Sequence, residues 1–190
     1  MLPLSEREVS PEIIASCRTG DRDALRVLFD TYKDRVYSLS LYFFHGDESL
    51  AADVTQQVFL KVITNVDRFK GDAAFSTWLY RLAVNACQDA ARRRKSGAIV
   101  ADRARLEGFA ASSSQEDDYT RAQNARCVRD AVSALPPKLR MAVLLRYFDE
   151  LSYEEMAQVL HCSMGTVASR LSRGHKMLAE RLKGVTGAGG

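Results

Sequence analysis

Phe75, Leu79, Leu82, Ala83, Ala86 and Ala90 recur at helical spacing through a stretch that ends Arg92-Arg93-Arg94-Lys95. An apolar stripe of that kind demands a partner surface, so this helix is one around which a core must form. The rest of its circumference carries Arg81, Asn85, Gln88 and Arg92, with Trp78 at the border and Ser76 placed to cap the start. Cations at a helix C-terminus offset the dipole, which accounts for the basic run on structural grounds alone. Amides, arginines and an aromatic on one exposed helical face are also the chemistry that reads bases and holds phosphates.

The same period recurs on either side. Ser10-Pro11-Glu12 reads as a helix start with Ser10 as its cap, closed by Gly20, and Asp21 can cap the next helix. Leu25, Leu28, Phe29, Tyr32, Val36 and Leu39 then form a stripe that runs to about Phe44, before a turn at His45-Gly46-Asp47. His45 has no neighbour in sequence that would complete a site, so it is read as a turn residue. From about Ser49 to Val66, Ala51, Val54, Thr55, Val58, Phe59, Val62 and Val66 face inward. Asp53, Gln56, Gln57, Leu60 and Thr64 face out. Single exposed leucines are common, yet Leu60 amid amides and an acid also fits the anchor of a protein-docking patch. Asp67 to Ala74 is a loop around Gly71 in which Arg68, Phe69 and Lys70 set an aromatic between two cations. That arrangement suits an unstacked base on a ring with phosphate beside it; a single buried Phe is the commoner fate of such a loop.

From 96 to 118 the pattern dissolves into Gly97, Gly108, an Ala-Ala-Ser-Ser-Ser run and Glu116-Asp117-Asp118, a linker with room for a short helix at 101–109. Helical stripes then resume. Val128, Ala131, Val132 and Leu135 lead to Pro136-Pro137, and Leu139, Ala142, Val143, Leu145 and Tyr147 follow. Ser152 and Glu155 make a capping box, His161-Cys162-Ser163-Met164-Gly165 a tight turn, and Thr166 opens another helix. This is helix-turn-helix spacing. Val167, Leu171, Gly174 and Leu178 point inward, whereas Thr166, Ser169, Arg170, Arg173 and Lys176 point outward, as hydroxyls and cations that enter a major groove do. The expected fold is all-α: two helical domains joined by a flexible linker. The divisions are an extension over 1–20, a first domain over 21–95, the linker over 96–118, a second domain over 119–183 and a disordered tail over 184–190.

Charge narrows the partners. A net charge of only +3 over 190 residues means that any nucleic-acid surface is local, built from clusters. No apolar run approaches the ~18 residues of a membrane span, and the N-terminus lacks the basic start and apolar core of a secretory signal. Cys17, Cys87, Cys127 and Cys162 are scattered without paired spacing, which fits a reducing compartment and small buried hydrophobes. No nucleophile-base pair or phosphate loop stands at readable spacing, which argues against an enzyme. His161, Cys162 and His175 lie at opposite ends of their elements and are read as structural, so no metal or cofactor site is expected.

Residues 53–61, DVTQQVFLK, and 75–85, FSTWLYRLAVN, resemble domain two of the extracytoplasmic-function (group four) sigma factors. Leu135-Pro136-Pro137, Leu144 to Phe148, Leu151 to Ala157 and Gly165 to Leu171 resemble their domain four. The match spans roughly residues 21 to 183 in the same order and spacing. The resemblance implies a factor that binds core RNA polymerase, recognises minus-thirty-five and minus-ten promoter elements and promotes strand opening. Asp53, Gln56, Gln57 and Leu60 would dock on the clamp helices of the largest subunit, with a further contact to the polymerase flap. Arg68, Phe69, Lys70, Asn85 and Gln88 would hold an extruded minus-ten base, Trp78 would support strand separation, and Arg92 and Arg93 would meet backbone. Thr166, Ser169, Arg170, Arg173 and Lys176 would read the minus-thirty-five duplex. It further implies a cytoplasmic location, a membrane-linked anti-sigma partner and no membrane insertion of this chain. Three positions depart from the family pattern: Gln57 stands where an acid is frequent, Ala168 where a lysine is common, and His161 where a glycine often forms the turn, which there brings left-handed backbone strain. The alternative is a stand-alone helix-turn-helix regulator, which would have no need of the Asp53 to Leu60 face.

Overall fold

The computed structural model describes residues 8–97 and 116–186. Those residues form eight α-helices and no strand: α1 (Pro11–Arg18), α2 (Arg22–Phe43), α3 (Glu48–Asn65), α4 (Phe75–Gly97), α5 (Glu116–Ser133), α6 (Pro137–Tyr147), α7 (Tyr153–Val159) and α8 (Met164–Thr186), with a short 3-10 turn at Val66–Arg68. The short helix expected at 101–109 lies outside the described residues. The tail expected from 184 is helical as far as Thr186.

Local chemistry sets most of the boundaries. Asp21 accepts from the amides of Asp23 and Ala24 at 2.9 and 3.2 Å and opens α2. Asp47 accepts from Leu50 N at 3.0 Å and opens α3. Gly20 stops α1 at φ 81°, a backbone that favours glycine. Ser152 and Glu155 form the expected capping box: Glu155 N donates to Ser152 Oγ at 3.1 Å and Ser152 N to Glu155 Oε2 at 2.7 Å. Ser10 does precede α1, but its hydroxyl makes no capping bond, and the proline that follows supplies the start.

The first lobe packs α1 to α4 around Leu28, Tyr32, Val36, Leu39 and Phe43 of α2, Val54, Val58 and Val62 of α3, and Phe75, Leu79 and Ala83 of α4. Three stripe residues depart from expectation, among them Tyr147 of α6, which is 62% exposed. Phe29 is 41% exposed and sits edge-on to Phe59, and Val128 of α5 is 48% exposed. The second lobe packs Leu135, Met141, Leu145, Leu151, Met156, Val167 and Leu171. Gly174 lets α8 approach α6 closely, since a Cβ at 174 would stand 3.0 Å from Val143 Cγ2. At the turn before α8, His161 takes φ 47°, the left-handed backbone anticipated where glycine is absent. Replacing it with glycine, His161→Gly, should raise stability by about 1 kcal/mol in denaturant unfolding.

The lobes pack against each other, which the stripes gave no means of foreseeing. Tyr42 of α2 meets Phe148 with ring centroids 4.5 Å apart. Arg140 of α6 is buried, donates to the Phe43 carbonyl at 2.7 Å and lies over the Phe43 ring. Arg81 of α4 donates to the Gln158 carbonyl of α7 at 2.9 Å. Deepest is Tyr80 of α4, whose hydroxyl donates to Asp149 Oδ1 at 2.6 Å. Asp149 is 5% exposed and its other oxygen has no hydrogen-bond partner.

Burial pushes the Asp149 carboxyl up to about 6, against the opposing hydrogen bond from Tyr80 and the charge of Arg35 on α2. A carboxyl raised in the packed state stabilises packing when neutral, so its contribution is full below pH 4 and lost as pH rises through 6. His45, held down to about 4 by burial and by Arg140 and Arg94, acts in the opposite sense over that window. The effect is therefore read as a difference between chains. From pH 7 to pH 5 the wild type should gain about 1 kcal/mol of unfolding stability relative to Asp149→Asn, measured in parallel denaturant titrations.

Candidate functional site

Two separate surfaces collect the polar residues singled out in the sequence. The first is built on α3, α4 and the loop between them. Asn85 is exposed and Gln88, one turn on, is half-buried on the same side of α4. Arg68 and Lys70 are exposed on the loop, whose turn at Gly71 takes φ 81°. Phe69 is not available to a base in this arrangement: it is 8% exposed, with ring centroids 5.3 Å from Phe75 and 5.6 Å from Trp78. The cation–aromatic–cation pattern has a simpler cause. The ring anchors the loop in the core while its neighbours reach solvent, and Trp78, half-buried against both rings, closes the cluster.

The start of α4 also differs from expectation. Ser76 lies inside the helix, fully buried, with its hydroxyl unpartnered. The amides of Phe75 and Ser76 instead donate to the carboxylate of Glu8 at 3.0 and 3.1 Å. No local sequence signal could have revealed this bond, because its partners are 67 and 68 residues apart.

The exposed side of α3 is divided. Leu60, 55% exposed, and Gln56 border an apolar hollow shared with Phe29, Tyr37, Phe59 and Ile63. Phe29 and Ile63 were missed by stripe counting, which assigned the first to the core and left the second unassigned. Asp53 and Gln57 line a second, polar hollow with Asp47, Arg93 and Arg94. There Arg93 donates to Gln57 Oε1 at 3.3 Å, and Arg94 pairs with Asp47 at 3.2 Å. Arg92 pairs with Asp89 on its own helix.

The second surface is α8. Ser163 caps it, accepting from Thr166 N at 3.2 Å, and its Oγ lies 3.0 Å from the Thr166 hydroxyl. Thr166 is therefore partly engaged and half-buried, as is Arg170, while Ser169, Arg173 and Lys176 are exposed along the same face. Val167, Leu171 and Gly174 are buried, as the inward set requires. α7, the turn and α8 thus present hydroxyls and cations outward at the N-terminal half of a helix, the arrangement that can enter a major groove.

The comparisons agree in their division of the chain. A family described as Sigma-70 region 2 matches residues 28–97, and one described as Sigma-70 region 4 matches residues 125–178. The ECF RNA polymerase sigma factor SigW of Bacillus subtilis (strain 168) is 33% identical over 178 residues, covering 90% of this chain and 95% of its own. The ECF RNA polymerase sigma-E factor of Escherichia coli (strain K12) is 33% identical over 189 residues, covering 95% and 97%. Among solved structures, CnrH in complex with the cytosolic domain of CnrY shares the fold with a TM-score of 0.67 at 23% identity, over 90% of this chain and 96% of that one. The sigma factor RpoE of Bartonella quintana, solved with the anti-sigma factor NepR, gives 0.65 at 22% identity over 83% and 96%.

The burial of Phe69 has a direct consequence. Phe69→Ala should cost about 3 kcal/mol of stability, as for a core phenylalanine; thermal or denaturant unfolding would show a change near zero if the ring were an exposed platform.

Proposed function

The chain belongs to the extracytoplasmic-function RNA polymerase sigma factors, and we propose that its two lobes divide promoter recognition between single-stranded and duplex DNA. One observation supports the reading: a single chain presents two separate faces of polar and cationic side chains, one on α4 and the loop before it and one on α8. In the first lobe, exposed Asn85 and half-buried Gln88 lie one turn apart on α4, about 15–20 Å along the helix from the loop that bears the exposed Arg68 and Lys70. Amides one helical turn apart suit a base taken out of the stack, and cations further along the same element suit the phosphates of the strand it leaves. Trp78 borders that surface and supports strand separation, while Arg92 and Arg93 meet backbone. In the second lobe the exposed face of α8 suits duplex, so Ser169, Arg170, Arg173 and Lys176, with Thr166 at the entry, read the minus-thirty-five element. Phe69 serves the first surface from beneath, as the anchor of its loop.

Core polymerase docks on the α3 face. Leu60 is its apolar anchor, and Phe29 and Ile63 extend the hollow beside it. Gln56, Asp53 and Gln57 supply the polar rim, the composition of a hot spot surrounded by hydrogen-bonding groups. The chain works as an initiation factor rather than an enzyme, in the cytoplasm, with an anti-sigma factor as its regulatory partner; these assignments rest on family membership. No helix among the described residues is long and apolar enough to cross a membrane.

The packed lobes do not span a promoter. Elements named for positions ten and thirty-five are about 25 base pairs apart, roughly 85 Å at 3.4 Å per pair. The described residues, packed as one body, are about 40 Å across, from a radius of gyration of about 15 Å. The contacts at Tyr80–Asp149, Arg81–Gln158 and Arg140–Phe43 therefore break when both elements are held on polymerase.

Run-off transcription with purified bacterial core polymerase tests the reading, using promoter fragments with and without this protein. Protein-dependent transcripts sharing two spaced elements are expected. Asn85→Ala should lower strand opening about tenfold, the scale of one lost base contact, and leave core binding intact. Equal loss of core binding and opening would reject base capture at Asn85. No core binding by the wild type would favour a stand-alone regulator.

A further inference from the structure

The segment that precedes the family match grips both ends of the loop between Phe69 and Phe75. At the far end, α4 opens at Phe75 and is preceded by Ala74, which has no side-chain acceptor. A helix start leaves its first amides unpaired. Here Glu8 fills that role from a distance: Oε2 accepts from Phe75 N at 3.0 Å and Oε1 from Ser76 N at 3.1 Å. Its negative charge also suits the positive end of the helix dipole. At the near end, Arg18 of α1 donates to the carbonyl oxygen of Phe69. Between the two grips the segment is seated on the core. Val9 N donates to the Tyr32 hydroxyl at 3.3 Å, and Val9, Ile14 and Cys17 are buried. Tyr32 in turn lies against Phe75, the first residue of α4.

One short N-terminal stretch thus sets where the loop leaves the core and where α4 begins. Loop and helix together carry Arg68, Lys70, Trp78, Asn85 and Gln88. Trp78 lies in the first turn, so it moves with the amides that Glu8 holds; Asn85 is about 15 Å along the axis from Phe75 and depends on the cap less. We propose that Glu8 is a positioning residue for capture of the minus-ten base, acting through the start of α4 and assisted by the Arg18 grip on Phe69. The inference rests on the base-capture reading of this surface and adds a residue outside the matched family segments.

The test uses the full chain with core polymerase and follows strand opening by the fluorescence of 2-aminopurine placed in the minus-ten element. Glu8→Ala should slow opening about fivefold, the size of a lost helix cap, with core affinity and duplex binding through α8 unchanged. Hydrogen exchange should quicken at Phe75, Ser76 and the loop, and not elsewhere. Glu8→Gln, which keeps a side-chain acceptor, should recover part of the rate. The ratio of opening on the cognate element to opening on single-base substitutions should fall toward one, because a loosened site discriminates less. A purely structural role would slow all promoters alike and keep that ratio, which would overturn the proposal. Unchanged opening would overturn it as well, as would faster opening, which would make the carboxylate a competitor for a DNA phosphate at the helix start. Asn85→Ala is run in parallel. Loss there without loss in Glu8→Ala rejects the Glu8 role alone, and no loss in either rejects base capture and this inference together.

Discussion

The burial of α4 on most of its circumference is the constraint on which the remaining structure depends. Phe75, Leu79, Ala83, Ala86 and Ala90 are buried, and so are Tyr80, Val84 and Cys87 on a neighbouring strip. Small residues let the helices beside it approach closely, and dense packing of that kind leaves little freedom for the backbone. Along the middle of the helix the solvent-facing strip is narrow, with Asn85 exposed and Arg81 and Gln88 half-buried, before Arg92, Arg93 and Arg94 are exposed near its end. On such a helix the exposed side chains are held by everything beneath them. A site that must receive an unstacked base needs that rigidity, because the cost of unstacking is offset only by contacts already in place.

That same helix carries the contacts that hold the lobes together. Tyr80 and Arg81 are adjacent to the residues of the exposed strip, yet they bind Asp149 and the Gln158 carbonyl of the second lobe. Directional polar contacts and the aromatic pairing of Tyr42 with Phe148 cross the interface, and the buried apolar residues of the two lobes form one continuous cluster. A buried acid with one unpartnered oxygen is a costly element of such an interface unless it is neutral.

Much of this was legible in the sequence, and what was not shares one cause. Periodicity located the stripe of α4 and the inward set of α8, Gly174 among it, because these depend on neighbours three or four residues away. The Ser152 and Glu155 capping box was visible for the same reason. Three features escaped because their partners are remote. Ala74 leaves the start of α4 without a cap, and the nearest serine was the natural candidate, but the acceptor came from Glu8. Phe69 had the surroundings of a base platform, and only the positions of Phe75 and Trp78 show that it is buried. Phe29 fitted the α2 stripe, yet it lies at the edge where α3 stops covering it. The lobe interface was illegible for a further reason: Asp149, Arg140 and Tyr80 are residue types that pattern reading sends to solvent.

The division of the α3 face has a consequence for how docking and DNA contact are related. Gln57, on the face expected to meet polymerase, and Asp47, the cap of α3, are the partners of Arg93 and Arg94 in the basic run at the end of α4. Both pairs are exposed, and exposed pairs contribute about 0–1 kcal/mol, so neither holds the fold together. Their effect is to fix the direction of two otherwise free cations along α3. A phosphate offers a charge-assisted acceptor at least as good as a neutral amide oxygen, so exchange of Gln57 for DNA backbone at Arg93 costs little. An acid at position 57 would hold Arg93 more tightly and make that exchange harder. In the proposed reading, a glutamine at position 57 would give a weaker contact to polymerase than an acid and would leave Arg93 easier to release to DNA backbone.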